Sequence, residues 1–314
     1  MPDEDSPKLN LAITESEVRQ LDAVYQPFPS YAEWSNATVD RARWDRYSTL
    51  LEEQRQKTSV QHLERTRRIA LRAAAVDTGA IEGLYSVDRG FTLTVAMEAA
   101  AWEAAVQAKG EAAHSLIESQ LRAYDAVVDL ATKAEPMSEA AIRALHAQIV
   151  EGQKTYRVLT AVGWQEQPLP KGQYKVLPNH VRRRDGKMHS YAPADLTLDE
   201  MHRLVNELRT ADFLVAHPVL QSSYAHYAFV SIHPFADGNG RVARAVASVF
   251  LYRARSIPLL MLVEHRPEYF TTLQAADRRA FQPFVDFSLI GRWKLCSSFR
   301  RAFEPPRLAQ LMNH

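Results

Sequence analysis

Helix-forming residues dominate this chain except in one stretch, and that contrast most limits the folds it can adopt. Residues 40–75 are rich in Arg, Glu, Gln, Leu and Ala, and residues 95–132 are rich in Ala, all of which favour helices. Residues 152–193 instead contain four prolines, four glycines and several aromatic residues, with no helical period. The sequence therefore predicts an all-α fold that is interrupted once.

The interruption carries the pattern of a β-hairpin. Gln173–Leu177 and Lys187–Tyr191 are two extended runs, and Asp185–Gly186 between them is a turn signal. We expect this hairpin to be the only sheet in the chain. The basic cluster Arg182–Arg184 near its tip fits a solvated turn, and a docking patch is the alternative interpretation.

Composition narrows the class of protein. The 314 residues are 46% hydrophobic and 24% charged with a formal net charge of +1, which does not favour a nucleic acid or a membrane as partner. The single cysteine, Cys296, fits a reducing compartment. The acidic N-terminus shows no signal peptide, and no window approaches the roughly 18 apolar residues of a membrane span. We predict a cytoplasmic protein, and delivery by a dedicated secretion machine stays open.

The first long helical run ends at Thr78–Gly83, with the sequence Thr-Gly-Ala-Ile-Glu-Gly. The two glycines indicate a helix terminus. Glu82 then lies at a chain reversal, where an isolated carboxylate is most simply interpreted as a solvated side chain.

The stretch with the most chemistry is Ser231–Arg244, with the sequence SIHPFADGNGRVAR. Apolar, helix-compatible segments flank it at Val219–Ile232 and Val242–Tyr252. Small residues let the backbone approach a phosphate, and the start of the second helix offers unpaired N–H groups. This loop is therefore a candidate anion cradle.

Taken singly, the polar residues of this loop have ordinary structural interpretations. His233 before a proline is usually structural, Asp237 could cap a helix, and Gly238–Gly240 could be a turn. Taken together they supply a general base, a carboxylate for Mg²⁺ and, in Arg241 and Arg244, two guanidinium forks for phosphate oxygens. These are the components of phosphoryl or nucleotidyl transfer.

The segment His233–Arg241, followed by Arg244, resembles the motif HPFx(D/E)GNGRxxR of the Fic family without departure. The resemblance implies a helical bundle with one β-hairpin, called the flap. It places a Fic domain at residues 90–303, after an N-terminal helical region at 1–89 that holds the Thr78–Gly83 segment, and before a tail at 304–314.

The resemblance also implies the transfer of AMP from ATP to a Ser, Thr or Tyr hydroxyl of a target protein. His233 is then expected to deprotonate the hydroxyl, and Asp237 to hold Mg²⁺. Phosphate contacts are implied for five further residues: Gly238, Asn239, Gly240, Arg241 and Arg244.

Two other segments acquire roles by the same resemblance. Thr78, Glu82 and Gly83 fit the family's inhibitory motif (S/T)xxxE(G/N), which implies that Glu82 pairs with Arg244 and inhibits the protein. The hairpin is expected to bind the target by strand addition. The docking residues implied are Gln173, Tyr174, Lys175, Val176 and Leu177.

Alternatives remain at this point. Fic-type loops also serve UMP or phosphocholine transfer, and some members that carry the inhibitory glutamate remove AMP. A non-enzymatic nucleotide-binding regulator is a further alternative, although the intact His233 and Asp237 argue against it. The partners we expect are ATP and an unknown protein target, and a homodimer stays open.

Overall fold

The computed structural model describes residues 14–289 apart from positions 58, 99–101, 161 and 183–187. The described part is mostly helical, which confirms the predicted class. The N-terminal half forms eight helices: α1 Glu15–Ala23, α2 Tyr31–Trp34, α3 Arg41–Lys57, α4 Val60–Ile81, α5 Arg89–Ala96, α6 Trp102–Gln107, α7 Glu111–Lys133 and α8 Glu139–Ile149.

The second half begins with two short hairpins and then returns to helices. Its elements are β1 Thr155–Thr160, β2 Gly163–Pro168, β3 Val181–Arg182, β4 Met188–His189, α9 Thr197–Glu207, α10 Ala211–Leu214, α11 Pro218–Ile232, α12 Asn239–Arg255, a 3-10 helix Val263–His265 and α13 Arg266–Ala276. Residues 282–289 are also helical. The last part of the predicted Fic domain, residues 290–303, and the tail at 304–314 lie outside the described residues.

Local capping explains several of these helix starts. Thr14 and Glu17 form a reciprocal capping box, and Ser138 caps α8 by accepting from the Ala141 N–H. Gly83 has φ +76°, so the second glycine of the Thr78–Gly83 segment ends α4. Gly79 by contrast lies inside α4, because the helix continues to Ile81.

The core is organised around α11 and α12, which pack directly against each other. Helix α12 also contacts α7, α8 and α4, so it is covered on several sides. Most residues of both helices are buried, as expected for helices at the centre of a bundle. The loop between them is therefore held at both ends by buried helices.

The sheet content differs from the prediction of a single hairpin. The described residues contain two antiparallel hairpins, and the longer one, β1–β2, pairs Thr155 with Pro168 through Thr160 with Gly163. The signal for it is a run rich in β-branched and aromatic residues before Gly163, whose φ is +99°. The prediction overlooked this segment.

The predicted hairpin is present in a shorter form. Among the described residues, two pairs join β3 to β4: Val181 with His189, and Arg182 with Met188. Gln173–Leu177 is not a strand, because the Lys175 N–H donates to the Pro234 carbonyl 2.8 Å away instead of to a sheet. Most of the basic cluster at the hairpin tip, and its turn, lie outside the described residues.

No helix of the described part is both long enough and apolar enough to cross a membrane.

Candidate active site

The loop between α11 and α12 begins at His233, the residue that ends α11. His233 is in the left-handed region, with φ 54° and ψ 58°, and this conformation turns the chain away from the helix. Gly238, with φ +82°, turns the chain again just before α12. The two turns bring His233 and the first residues of α12 to the same side of the loop, as the motif requires.

Asn239 secures this loop through its side chain. Its Oδ1 accepts from the Phe235 N–H at 2.8 Å, and its Nδ2 donates to the Phe235 carbonyl at 2.7 Å. Asn239 and Gly240 are the first two residues of α12, where backbone N–H groups have no partner within the helix. The residues predicted to bind an anion thus lie at the N-terminus of α12, and the Asn239 side chain fixes the loop that leads into it.

Arg241 is a buried guanidinium that the protein satisfies only in part. Its Nη2 donates to Gln153 Oε1 at 2.7 Å and lies 3.6 Å from Asp237 Oδ1. Its Nε and Nη1 atoms are buried and have no hydrogen-bond partner in the described part of the chain. Burial lowers its pKa, and the carboxylates of Asp237 and Glu82 oppose that shift. Two donor nitrogens without partners on a buried cation suit an anionic ligand.

Asp237 is the carboxylate that the sequence proposes for Mg²⁺. Gln153 Nε2 donates to its Oδ2 at 2.7 Å, and the Gly238 N–H donates to its Oδ1. The side chain is 42% exposed, so the carboxylate remains accessible. The described residues hold no cluster of three or more His, Cys, Asp or Glu side chains. One accessible carboxylate beside an anion site fits Mg²⁺ that arrives with phosphates, because Mg²⁺ needs few protein ligands.

The Thr78–Gly83 segment reaches Arg244 at the first turns of α12. Glu82 caps α4, and its Oε1 lies 2.6 Å from Arg244 Nη2. Arg244 also donates from Nε to Thr78 Oγ1 at 2.7 Å and from Nη2 to the Thr78 carbonyl at 2.9 Å. Burial acts to lower the pKa of Arg244, but the charge and hydrogen bond of Glu82, together with the phenol groups of Tyr269 and Tyr124, outweigh it, so the pKa is raised.

Gly240 shows where the Glu82 carboxylate sits. A Cβ on Gly240 would overlap Glu82 Oε1 and would lie 3.2 Å from Arg244 Nη1. The carboxylate therefore rests directly on the first turn of α12, beside a buried arginine, in the position that an anionic ligand would take. Gly83 contributes only its backbone turn, since a Cβ there would meet nothing within 4 Å.

The imidazole of His233 is enclosed by polar and aromatic groups. Tyr191 stacks on it with ring centroids 3.9 Å apart and an interplanar angle of 7°. Burial lowers the pKa of His233 well below its usual value, and positive charge on Lys175, His189 and His180 lowers it further. The ring is therefore neutral at pH 7, as a proton acceptor must be.

The five predicted docking residues do not share one orientation. Gln173, Val176 and Leu177 are exposed, and Val176 is the most exposed at 82%. Tyr174 is half-buried, with its hydroxyl donating to Glu139. Lys175 is buried, and its Nζ donates inward to Asn179 Oδ1.

Sequence reasoning missed four residues that shape the site. Gln153 joins Asp237 to Arg241, and Asn179 lies 2.8 Å from His233 Nδ1. The other two are His146, stacked on Phe235 with its Nε2 3.0 Å from the Asp237 carbonyl, and Tyr191. All four lie outside the motif, in segments where nothing local indicates a catalytic neighbour.

Fold and site together define a helical protein that presents a neutral imidazole, an accessible carboxylate and two buried arginines around a helix N-terminus. Residues 136–251 match the sequence model of the Fic/DOC family, so the chain carries a Fic domain. The wider boundaries 90–303 remain a prediction.

Named relatives match mainly in this domain. The protein adenylyltransferase Fic of Culex quinquefasciatus is 39% identical over 95 residues, which are 30% of this chain and 19% of that protein. The protein adenylyltransferase fic-1 of Caenorhabditis elegans is 32% identical over 93 residues, 30% of this chain and 18% of that protein. The chain thus spans about a fifth of the length of the curated relatives it matches.

Solved structures show the fold over a longer range. Fic-1 (aa134–508) from C. elegans has a TM-score of 0.62 at 21% identity and covers 84% of this chain and 72% of that chain. A Fic domain containing signaling protein from Bacteroides thetaiotaomicron has a TM-score of 0.57 at 20% identity, covering 87% of this chain and 93% of that chain. At these identities the likeness concerns the fold alone.

Proposed function

We propose that this protein is an autoinhibited protein adenylyltransferase, which transfers AMP from ATP to a hydroxyl group of a target protein. The observation that carries the proposal is the anion position on α12. Two buried arginines and the first turn of α12 surround it, His233 belongs to the same loop, and the Glu82 carboxylate fills it. The adenylyltransferase names of the relatives support the same reaction.

In the proposed reaction, His233 accepts the proton of the target hydroxyl. The hydroxyl oxygen then bonds to the α-phosphorus of ATP, and the bond from that phosphorus to the bridging oxygen of the β-phosphate breaks. Pyrophosphate leaves with the electron pair of that bond. The first turn of α12 and Arg241 bind phosphate oxygens, so that the phosphorus faces the incoming oxygen.

Asp237 is the residue proposed to hold Mg²⁺. When bound, Mg²⁺ would neutralise part of the phosphate charge. Gln153 orients the Asp237 carboxylate through Oδ2 and the Arg241 guanidinium through Nη2. The Gln153 amide therefore fixes the proposed metal ligand, Asp237, and the proposed phosphate ligand, Arg241, relative to each other.

Autoinhibition follows from competition for one position. Glu82 pairs with Arg244 and lies where an outer phosphate would bind, so ATP has to displace the carboxylate. The exposed side chains of Gln173, Val176 and Leu177 are the part of the segment proposed to contact the target. The single cysteine supports the cytoplasm as the compartment.

The test is label incorporation from α-labelled ATP with Mg²⁺. We expect Glu82→Gly to incorporate label into the chain itself or an added target, the wild type less, and the double variant Glu82→Gly/His233→Ala none. γ-Labelled ATP should give no labelling, since the outer phosphates leave. Absence of transfer from ATP by the Glu82→Gly protein would contradict the proposal. Mass spectrometry of the product identifies the transferred group and separates AMP from UMP or phosphocholine.

A further inference from the structure

Four consecutive carbonyl groups, at the end of α11 and in the catalytic loop, accept hydrogen bonds from two residues of an earlier segment. The carbonyls are those of residues 232–235, and the donors are Lys175 and Asn179. Lys175 donates from Nζ to the carbonyl of residue 232 at 3.3 Å and from its backbone N–H to that of residue 234 at 2.8 Å. Asn179 Nδ2 donates to the carbonyls of residues 233 and 235, at 3.0 Å and 2.8 Å. We call these two residues the loop clamp.

The loop needs such a clamp for two physical reasons. The last carbonyls of α11 have no partner within the helix, so they need donors from elsewhere. His233 adopts the left-handed conformation, which is unfavourable for a residue with a Cβ. The loop clamp supplies the donors and fixes the backbone on both sides of the strained residue.

The same two residues also reach the imidazole. Asn179 Nδ2 lies 2.8 Å from His233 Nδ1, and Asn239 Nδ2 lies 3.1 Å from the same atom. The Asn179 amide cannot turn freely, because its Oδ1 accepts from Lys175 Nζ at 2.7 Å. These contacts at Nδ1 fix the orientation of the imidazole ring.

We propose that Lys175 and Asn179 are positioning residues for His233, so that the segment expected to dock the target also builds the catalytic loop. The catalytic part of this inference rests on the proposed function, whereas the contacts of Lys175 and Asn179 do not depend on it. Besides Lys175, the titratable groups near the His233 ring are His180, His189 and Tyr191, which stacks on it.

The first test uses the Glu82→Gly protein as the active background and compares Asn179→Ala with Asn206→Ala. Asn206 is an exposed asparagine on α9, which makes it a matched control. Loss of the ring contact should lower the rate of label transfer about 10-fold, while the dissociation constant of ATP changes less than about 2-fold. Opening the ring to water also raises the pKa of His233, so the acidic limb of the pH–rate profile should move to higher pH.

The second test does not require any transfer. Histidine-specific ¹⁵N labelling of the full chain reports the ring nitrogen shifts and pKa of His233, assigned by the signal lost in His233→Gln. Asn179→Ala should change both quantities, and Asn206→Ala neither. Lys175→Met is the second variant if Asn179→Ala fails to fold, because it keeps the backbone N–H bond and removes the ammonium group.

The two tests distinguish failure of the proposed function from failure of the positioning role. Absence of transfer by the Glu82→Gly protein refutes the proposed function, and the ¹⁵N comparison still decides the role of Asn179. Unchanged ring shifts and pKa of His233 in both loop clamp variants refute the positioning role, whatever the activity.

Discussion

Removing the Glu82 carboxylate should tighten the binding of ATP by an amount that the structure bounds. Glu82 Oε1 and Arg244 Nη2 are 2.6 Å apart, and the arginine side chain is 2% exposed. A hydrogen bond between charged groups contributes about 1.5–3 kcal/mol. Since about 1.4 kcal/mol corresponds to a factor of ten, this interval corresponds to about 10- to 150-fold in the dissociation constant.

The geometry favours the lower part of that interval. The Glu82 side chain is 30% exposed, so water screens its end of the pair even though Arg244 is buried. We therefore expect Glu82→Gly to bind ATP about 10- to 30-fold more tightly than the wild type. Glu82→Gln should fall between them, because a neutral amide keeps a weaker bond to the guanidinium.

Titration calorimetry with ATP and Mg²⁺ measures this change. The variants are compared in the His233→Ala background, so that turnover does not consume the nucleotide. Glu103→Gly is the control, because Glu103 is an exposed glutamate on α6, away from the site. Equal affinities of the wild type and Glu82→Gly would refute the competition argument. An affinity of Glu82→Gln equal to that of the wild type would show that charge is not the cause.

Three further outcomes follow from single positions. Gly240→Ala places a methyl group where the Glu82 carboxylate now lies, so calorimetry should show weaker ATP binding even in the Glu82→Gly background. Gly79→Ala would overlap the Tyr85 hydroxyl and should destabilise the protein by about 1–3 kcal/mol in chemical denaturation. Burial raises the pKa of Asp77 from 3.8 to about 7, so the folded state holds a proton that the unfolded state releases between these pH values. In thermal melts, the stability of the wild type relative to Asp77→Asn should therefore fall as the pH rises from 3.8 to about 7, and stay level above.

The helical part of the fold was predictable because its signals are local. The capping box at Thr14–Glu17 and the glycine that ends α4 are short patterns, and both appear in the structure. The sheet was less predictable, because the partner of an extended segment depends on its surroundings. Residues 173–177 have strand composition, yet Lys175 gives its N–H to the catalytic loop, and the pairing falls at 181–182 instead.

The functional site likewise has a part that the sequence predicts and a part that it does not. His233, Asp237 and the two arginines lie within twelve residues, so their joint chemistry is visible in the sequence. The pairing of Glu82 with Arg244 spans 162 positions and was inferred only through a family resemblance. Gln153 and Asn179 carry no local signal, because an amide in a loop serves many structural purposes and only packing places it beside a catalytic group.

The hydrogen bonds between Arg244 and Thr78 determine how the ATP affinities of the Glu82 variants are interpreted. Arg244 donates to the side chain and to the carbonyl of Thr78, and Arg266 donates to the Ile81 carbonyl at 2.5 Å. These bonds fasten the end of α4 to the core without Glu82. Loss of the carboxylate therefore leaves the helix in place, and the change in ATP affinity reports the occupied anion position alone. By the same argument, the proposed displacement of the carboxylate by ATP requires rotation of one side chain only, while α4 and its contacts with α12 remain packed.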